Sequence, residues 1–287
     1  MKIAITGSSG FIGTSLQNSL YKTEVEYFPL KRDESDAQWI EKIGKSDVVI
    51  NLAGSPVIQQ WTPRNKKIIL DSRVQTTRRL VTIINELPRR NSPRLFISAS
   101  AIGIYPSKGN IVHTEESNAI GNGFLPEVVM KWEKEAMELT NRYVRLVIPR
   151  IGVVLGKDGG LLKKILPLFK LGLGGKVASG KQSVSFIHID DLIYAFKFFI
   201  ENKNSAGIYN LTAPRISTNT ELTKAMGKVL YRPTILPVPA FALKFLYGKA
   251  ASIMIHGEKV YPKNLLNAGY QFSFPDIESA LVDLLAS

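Results

Sequence analysis

The chain has 287 residues, 45% of them hydrophobic and 21% charged, which suits one large α/β domain or a domain with a smaller lobe. The absence of cysteine excludes disulfides, thiolate chemistry and cysteine-based metal sites. No apolar run reaches the ~18 residues of a membrane span. Because the sequence opens on the strand-like MKIAIT, we expect no targeting peptide. We therefore expect a cytoplasmic protein with no membrane partner.

The formal net charge of +13 raises the question of a nucleic-acid partner. The basic residues, however, come in short scattered pairs, and no segment interleaves them with aromatic residues. This scatter is typical of a lysine-rich solvated surface that attracts small anions. We expect no nucleic-acid partner.

Strand and helix signals alternate along the first half of the chain. The predicted strands are KIAIT, EVEYFPL, DVVINLA, RLFISAS and YVRLVIPR, with helical periodicity between them. Thr62 and Pro63 predict the start of a long helix that extends to about Leu87. This alternation indicates a parallel sheet covered by helices on both faces.

The composition changes after the fifth predicted strand, where glycine-rich segments such as GKDGG and LGLGGKVASGKQ appear. A further helix, the strand GIYNLTA and several short helices between proline-containing turns follow. We predict a Rossmann-type doubly wound α/β domain over residues 1–156, to which the chain returns at about 186–212. Residues 157–185 and 213–287 are predicted to form a smaller, mostly helical lobe.

The segment TGSSGFIG joins the first predicted strand to the first helix. In this context Gly7 permits a tight turn, Gly10 lets the backbone approach a pyrophosphate, and Gly13 lets helix and strand pack closely. The helix N-terminus adds unpaired N–H groups and the positive end of its dipole. The segment therefore predicts a dinucleotide site. The loop positions that complete it are Ser9, Phe11 and Ile12.

The end of the second strand distinguishes the two nicotinamide dinucleotides, because an acid there holds the ribose 2′-OH and repels a 2′-phosphate. This chain has Lys31 and Arg32 at that point, and Asp33 comes later. Arg32 can form charge-assisted hydrogen bonds with a phosphate. We therefore predict a preference for NADP(H) over NAD(H), with a solvated surface pair as the alternative.

Longer motifs resemble a known superfamily. TGSSGFIG, NLAG at 51–54 and FIHIDD at 186–191 resemble the extended short-chain dehydrogenase/reductases, the nucleotide-sugar epimerase and dehydratase superfamily. NLAGSPVIQQWTPRNKKIILDSRVQTT, SASAIGIYP, GFLPEVVMKWE, PRIGVVLGKDGGLLKK and SGKQSVSFIHIDD look like its atypical group of YfcH-like epimerase family proteins. The tail from about Pro237 resembles that group's C-terminal domain of unknown function. The resemblance implies a nicotinamide cofactor and no settled substrate.

The resemblance also implies that a catalytic dyad is missing. Typical superfamily members carry Tyr-x-x-x-Lys on the helix at 123–136, where the tyrosine transfers a proton and the lysine lowers its pKa. With Glu133 as the reference, the tyrosine position falls on Phe124 or Leu125. The lysine position falls on Val128 or Val129. None of these side chains can do that work, so another group must supply the proton.

Several residues could replace the dyad. Ser100 could hydrogen-bond a substrate carbonyl at the carboxyl edge of the sheet, or bond only to the backbone. Tyr105 is the tyrosine nearest to that edge in sequence and could donate the proton, or it could serve in packing. Glu115 and Glu133 are possible acids, with solvated carboxylates as the simpler interpretation of both.

Other residues are candidates for binding. Arg73 replaces the superfamily's usual asparagine and could bind a cofactor phosphate, a ribose or a substrate anion, with a surface ion pair as the alternative. His188 could contact substrate, or only fix the helix cap at Asp190. The remaining candidates are Leu52, Ala53, Gly54, Ser98 and Val153 for the cofactor, and Arg150, Lys181 and Gln182 for the substrate. The three histidines are too far apart in sequence to indicate a metal site.

Two functions fit these residues. The first is an NADP(H)-dependent oxidoreductase or epimerase with a non-standard acid and a small-molecule substrate, supported by the intact glycine motif and the second lobe. The second is a non-catalytic NADP(H)-binding sensor or an assembly or regulatory protein, supported by the missing dyad. The sequence favours the enzyme slightly, as a monomer or homodimer.

Overall fold

A computed structural model of the protein describes residues 1–19 and 25–286. Strands and helices alternate in its first half as the sequence predicts, although Glu24, the first residue of EVEYFPL, lies outside the described residues. The elements in chain order are β1 (Lys2–Thr6), α1 (Phe11–Ser19), β2 (Glu26–Pro29), α2 (Asp36–Gly44), β3 (Val48–Asn51), α3 (Pro63–Glu86), β4 (Leu95–Ser98), β5 (Ser100–Ala101), α4 (Phe124–Met137) and β6 (Arg145–Ile151).

The second half has shorter elements. They are β7 (Val153–Gly156), β8 (Gly159–Gly160), α5 (Leu162–Lys170), β9 (Ser183–Val184), β10 (Phe186–His188), α6 (Ile189–Glu201), β11 (Gly207–Leu211), β12 (Ser217–Thr218), α7 (Asn219–Leu230), α8 (Ala240–Tyr247), α9 (Ser252–Ile255), α10 (Lys263–Asn267) and α11 (Ile277–Leu285). None of the helices among the described residues is long and apolar enough to cross a membrane.

The central sheet is parallel and has the order β2-β1-β3-β4-β6-β11, with the short β5 also paired to β6. The chain leaves β1 for β2 on one side and then crosses to β3 on the other. This reversal is the switch point of a doubly wound sheet, where ligands bind outside the carboxyl ends of the strands. The predicted Rossmann-type fold is confirmed.

Alternate residues of each strand pack into two different cores, as the period of two requires. Ile3, Val48 and Leu95 face one core, which also contains residues of α6, α7 and α11. Ala4 and Val49 face the other core, with residues of α2 and α3. Because both faces are buried, the strands read as continuous apolar runs. The first core extends into the C-terminal helices, and the division into residue-range lobes stays a prediction.

The C-terminal segment returns to the carboxyl edge of the sheet. His113, in the loop between β5 and α4, accepts a backbone hydrogen bond from Tyr261 (2.9 Å) and donates one to the carbonyl of Lys259 (2.7 Å). The side chain of Asn210, on β11, donates to the Tyr261 carbonyl at 3.1 Å. These bonds place residues around 256–261 beside the loops that follow the strands.

Candidate functional site

The glycine loop lies between the carboxyl end of β1 and the start of α1. Gly7 has φ +68°, and a Cβ there would lie 2.6 Å from the Leu52 carbonyl oxygen. A Cβ at Gly13 would lie 2.4 Å from the Gly7 carbonyl oxygen. Both positions therefore require glycine for the fold itself.

Gly10 differs from these two glycines because it is exposed and a side chain there would meet only one close neighbour. A Cβ there would approach only the Gly7 carbonyl oxygen, at 3.2 Å. Its carbonyl accepts the first helical bond, from Thr14 N–H at 2.8 Å. The N–H groups of the first turn of α1 follow it and lack helical acceptors. The open cradle at Gly10 therefore fits a phosphate group.

Phe11 is half-buried, and its ring packs under the hairpin formed by β7 and β8. A Cβ at Gly159 would lie 2.1 Å from this ring, and one at Gly156 would lie 2.4 Å away. The Phe11 side chain therefore fixes the hairpin against the loop. Val153, at the start of that hairpin, is half-buried and pairs with Phe186.

A buried polar network fixes the turn after β3. Thr6 Oγ1 donates to Asn51 Oδ1 at 2.7 Å, and Asn51 Nδ2 donates to Thr77 Oγ1 at 2.8 Å. Ala53 N–H in turn donates to Thr6 Oγ1 at 3.2 Å. Ser98 is 1% exposed and belongs to the same network. This network holds the end of β3 rigidly, and the next three residues, the half-buried Leu52 and Ala53 and the exposed Gly54, follow it directly.

Arg73 lies directly against this turn. Its Nη1 donates to the carbonyls of Ser55 (3.1 Å) and Ile69 (3.0 Å), and a Cβ at Gly54 would lie 2.9 Å from the guanidinium. Burial lowers its pKa to about 10. The surface ion-pair interpretation is wrong, because the guanidinium lies over the Trp132 ring at 5.3 Å and bonds to backbone carbonyls.

Lys31 and Arg32 lie on an ordered turn at the carboxyl end of β2, beside the glycine loop of its neighbour β1. Lys31 N–H donates to Glu34 Oε2 at 3.1 Å, and Trp39 Nε1 donates to the Lys31 carbonyl at 2.9 Å. Both basic side chains are exposed. The backbone is thus held while the two cations face solvent.

Five buried polar side chains form one cluster beneath α4. Glu133 receives a bidentate pair of bonds from Arg150, both at 2.7 Å, and a third bond from Ser100 Oγ at 2.5 Å. Arg150 Nη1 also donates to Tyr105 OH at 2.7 Å, and Tyr105 OH donates to Asn210 Oδ1 at 2.9 Å. The interpretation of Glu133 as a solvated carboxylate is wrong, because this residue is the buried counter-ion of Arg150.

The electrostatics of this cluster favour an ion pair beside neutral hydroxyls. Burial acts to lower the pKa of Arg150, but the hydrogen bonds and charge of Glu133 outweigh burial, and the pKa is raised. Burial raises the pKa of Tyr105, against the opposing effect of Arg150. Removal of either charged partner would leave the other unpaired in the interior, which is strongly destabilising. The sequence contained both residues but gave no indication of their pairing.

Glu115 is also not a solvated carboxylate. Its Oε1 accepts hydrogen bonds from the backbone N–H of Asn210 (2.7 Å) and of Asn264 (3.3 Å). Burial raises its pKa. It therefore joins the loop before α4 to β11 and α10, and the solvated interpretation is wrong because the carboxylate serves as a buried acceptor.

A cleft of about 760 Å³ opens beside this cluster, between the loops after β5, the N-terminus of α4 and residues 244–258. Phe124 and Leu125 line it, as does Tyr105. Val128 and Val129 are buried in the core, at 2% and 4% exposure. The expected position of the missing tyrosine therefore faces the cleft, whereas that of the missing lysine faces the core.

The cleft wall is aromatic and basic. Trp61 packs edge-on against Phe124 with ring centroids 5.0 Å apart, and Lys66 Nζ lies 5.0 Å from the centroid of the Phe124 ring. Lys244 and Lys249 add two more cations from the C-terminal segment.

Two further titratable groups line the cleft. Burial raises the pKa of Glu258 to about 6. Burial, and to a smaller extent the charge of nearby lysines, lowers the pKa of His256. Ser185 Oγ donates to the backbone carbonyl of Glu258 at 2.7 Å and fixes its position. Neither group was among the predicted site residues, although both follow the apolar run IMI within AASIMIHGEKV.

The remaining substrate candidates lie apart from one another. Lys181 is exposed, and Gln182 Nε2 donates to the carbonyls of Val177 (3.0 Å) and Met254 (3.1 Å). His188 is fully buried, and its Nδ1 accepts from the N–H of Asp190 at 3.1 Å. Its predicted capping role is confirmed.

The structure also brings His188 near two carboxylates. Ligand atoms of His188, Asp190 and Asp283 lie within 4.8 Å of one another, although the sequence predicts no metal site. Nδ1 is engaged by the helix cap and Nε2 lies 3.2 Å from Asp283 Oδ2. Burial lowers the pKa of the His188 imidazole, and the helix cap already occupies its Nδ1, so the grouping is a capping histidine beside two carboxylates.

The Rossmann-type fold and the glycine loop are those of a dinucleotide-binding protein class, and comparison with known families gives the same class. Residues 3–212 match the NAD dependent epimerase/dehydratase family, and residues 238–284 match a domain of unknown function, DUF1731. The chain therefore belongs to the NAD dependent epimerase/dehydratase family. The C-terminal domain supplies Lys244, Lys249, His256 and Glu258 to the cleft.

Individual relatives cover the whole chain. It is 36% identical to "Epimerase family protein SDR39U1 homolog, chloroplastic" of Arabidopsis thaliana, over 98% of this chain and 86% of that protein. It is 33% identical to "Epimerase family protein YfhF" of Bacillus subtilis, over 100% and 98%.

Solved structures give the same result. The crystal structure of human epimerase family protein SDR39U1 (isoform 2) with NADPH has a TM-score of 0.93, with 30% identity and 99% of each chain covered. A UDP-glucuronic acid 4-epimerase from Bacillus cereus shares the fold at 17% identity, with a TM-score of 0.79 and 100% and 98% coverage. The predicted resemblance is confirmed, and the fold is that of a nucleotide-cofactor-binding family.

Proposed function

We propose that this protein uses NADP(H) to reduce or oxidise a small anionic substrate in the cleft. The observation that carries the proposal is the position of Phe124 and Leu125. The cleft opens where related enzymes place their proton-transferring tyrosine, and it is lined by three lysines. The cofactor, when bound, supplies or accepts the hydride. The chain's own residues must bind the substrate, orient it and transfer a proton.

The glycine loop supports the choice of cofactor. Gly7 and Gly13 are required by the fold, whereas Gly10 leaves an open cradle at the start of α1 that a side chain would fill. The human relative with this fold was crystallised with NADPH. Lys31 and Arg32 stand where an acid would repel a 2′-phosphate, and this favours NADP(H) over NAD(H).

The Arg32→Ala variant should bind NADPH more weakly by about 1–3 kcal/mol, the scale of a lost charge-assisted hydrogen bond. NADH binding should change little, because NADH lacks the 2′-phosphate. Isothermal titration calorimetry with both cofactors measures this difference. Arg90→Ala is the matched control, since Arg90 is exposed just before the amino end of β4, on the opposite edge of the sheet. Equal affinity of the wild type for NADH and NADPH would contradict the assignment.

The charge of the cleft supports an anionic substrate. Lys66 comes from α3, while Lys244 and Lys249 come from the C-terminal domain, so cations face the cleft from two sides. A concave site with an excess of one sign of charge concentrates ligands of the opposite sign. Here three lysines outnumber the one acid, Glu258. Trp61 and Phe124 add flat apolar surface beside these lysines. A carbonyl compound with a carboxylate or phosphate group fits this wall.

The geometry favours Glu258 as the proton donor. The hydroxyls of Ser100 and Tyr105 both donate their protons within the buried cluster, so neither can donate to a ligand without breaking an internal bond. Glu258 lines the cleft, and burial raises its pKa to about 6. An acid with a pKa near the working pH can both hold and release a proton.

A carbonyl panel tests the proposed function. Purified protein with NADPH would be mixed with aldehydes and ketones that carry a carboxylate or phosphate group, and with neutral analogues of the same carbon skeletons. We expect a fall in nicotinamide absorbance with anionic compounds and a much smaller one with their neutral partners. Equal turnover of the anionic compounds and their neutral analogues would contradict the proposal that the lysines bind the substrate.

A non-catalytic NADP(H) sensor is the second candidate. The observation that favours it is the loss of the dyad together with the internal engagement of Ser100 and Tyr105. Tight NADPH binding, no turnover on the whole panel and altered amide hydrogen exchange in residues 244–258 would support this function instead.

A further inference from the structure

The most exposed apolar side chains of the described residues are concentrated in one part of the chain. Six large hydrophobic residues are more than 70% exposed, and five of them lie between positions 171 and 245. These five are Leu171, Tyr231, Ile235, Phe241 and Phe245. Extended apolar exposure of this kind indicates a surface that contacts something other than water.

Backbone contacts hold these residues on neighbouring segments. Arg232 Nε donates to the Lys170 carbonyl at 2.9 Å, and Val238 N–H donates to the Lys176 carbonyl at 2.9 Å. The helix α8 begins two residues after Val238. We call residues 168–176 and 231–246 together the apolar–basic face.

The charge of this region has one sign. The stretches 159–189 and 222–257 contain no aspartate or glutamate, and they hold ten basic residues. All ten are exposed, and within the described residues only Lys228 forms an ion pair, with Glu278 at 3.9 Å. Four of the ten, Lys170, Lys176, Arg232 and Lys244, lie in the apolar–basic face itself. With ten basic residues and no acids, the two stretches carry a net charge of +10 out of the chain's +13.

We propose that the apolar–basic face docks on the surface of an anionic lipid membrane. Aromatic and aliphatic side chains such as those of Phe241, Phe245 and Leu171 enter the boundary between headgroups and acyl chains. Lysine and arginine side chains near an anionic leaflet add electrostatic attraction to this insertion. The combination of exposed apolar residues with unpaired cations and no acids matches both requirements.

Other occupants fit this chemistry less well. A symmetric dimer through the same face would place two positive surfaces against each other. A nucleic acid would use the lysines but leave Leu171, Ile235 and Phe245 without apolar partners. The expectation of no membrane partner rested on the lack of a spanning segment, and a protein that docks on a membrane surface needs none.

Vesicle co-sedimentation of the full chain tests the inference. We expect the protein to pellet with vesicles of equal parts phosphatidylcholine and phosphatidylglycerol but not with phosphatidylcholine alone, and to be released as sodium chloride is raised. The double variant Phe241→Ser, Phe245→Ser should partition about tenfold more weakly or worse, because two apolar anchors are removed.

Matched controls make the result specific. The double variant Met130→Ser, Met137→Ser removes two exposed apolar side chains from α4, outside the apolar–basic face, and should pellet like the wild type. All variants should retain NADPH binding, because none of the four residues lies in the glycine loop or lines the cleft.

Several results would overturn the inference. The wild type could bind neutral vesicles as well as anionic ones, or the phenylalanine variant could bind anionic vesicles as well as the wild type. The methionine variant could also lose as much binding as the phenylalanine variant. A dimer in sedimentation velocity that the phenylalanine variant abolishes would assign the face to a second copy of the chain instead.

Discussion

The Gly10→Val variant should fold like the wild type and lose measurable NADPH binding. Gly10 is exposed at the start of α1, and its Cβ would approach only one backbone oxygen, at 3.2 Å. A valine side chain would occupy the cradle that the proposed pyrophosphate needs. NADPH fluorescence titration measures the binding, and circular dichroism with thermal unfolding checks the fold.

Two other glycines provide the controls. Gly44→Val makes the same change at the end of α2, where a Cβ meets its nearest neighbour at an ordinary 3.8 Å, and this variant should bind NADPH normally. Gly13→Val should instead damage the fold, because a Cβ there lies 2.4 Å from the Gly7 carbonyl oxygen. Unchanged affinity in Gly10→Val would show that the loop does not hold the cofactor.

Local signals were sufficient to predict most of the sheet. DVVINLA and RLFISAS are apolar on both faces, and they form the fully buried strands β3 and β4. Thr62 accepts the capping bond from Asn65 N–H at 3.2 Å, with Pro63 as the first residue of α3. These features depend on neighbours within a few residues, so sequence periodicity and capping rules identify them.

The functional site could be predicted only in part. The glycine loop is a continuous segment, but Glu133 and Arg150 meet through the packing of α4 on β6, and their sequence pattern resembles that of any charged pair. Glu258 reaches the cleft because residues 258–261 lie alongside His113, more than a hundred residues earlier in the chain. Such long-range contacts follow from topology, which local propensity does not encode.

The Glu258→Gln variant should turn over the active carbonyl compound about 10²–10⁴-fold more slowly than the wild type, the usual contribution of a general acid. Reduction requires the protonated carboxyl. The wild-type rate should therefore fall as pH rises through about 6, the raised pKa of Glu258, and the variant should lack this step. Glu116→Gln is the control, since Glu116 is an exposed partner of Lys263 and does not line the cleft.

Tyr105→Phe separates the two candidate acids. If Glu258 is the donor, this variant should keep the pH step near 6, because the Tyr105 hydroxyl is engaged by Arg150 and Asn210. A Glu258→Gln variant that keeps full turnover, together with a Tyr105→Phe variant that loses it, would assign the proton transfer to Tyr105.

The pKa of Glu258 can also be tested without a substrate, through stability. Burial raises this pKa from 4.5 to about 6. As the pH rises between these two values, the Glu258 carboxyl ionises in the unfolded chain but stays protonated in the folded one. Rising pH therefore destabilises the fold over this range. A shift of this size corresponds to about 2 kcal/mol above pH 6. Relative to wild type, Glu258→Gln should therefore gain up to about 2 kcal/mol of unfolding free energy at neutral pH, and the gain should vanish below pH 4.5. Urea unfolding across this pH range measures the gain, and a constant difference between the two proteins would show that the carboxyl is not buried at the cleft.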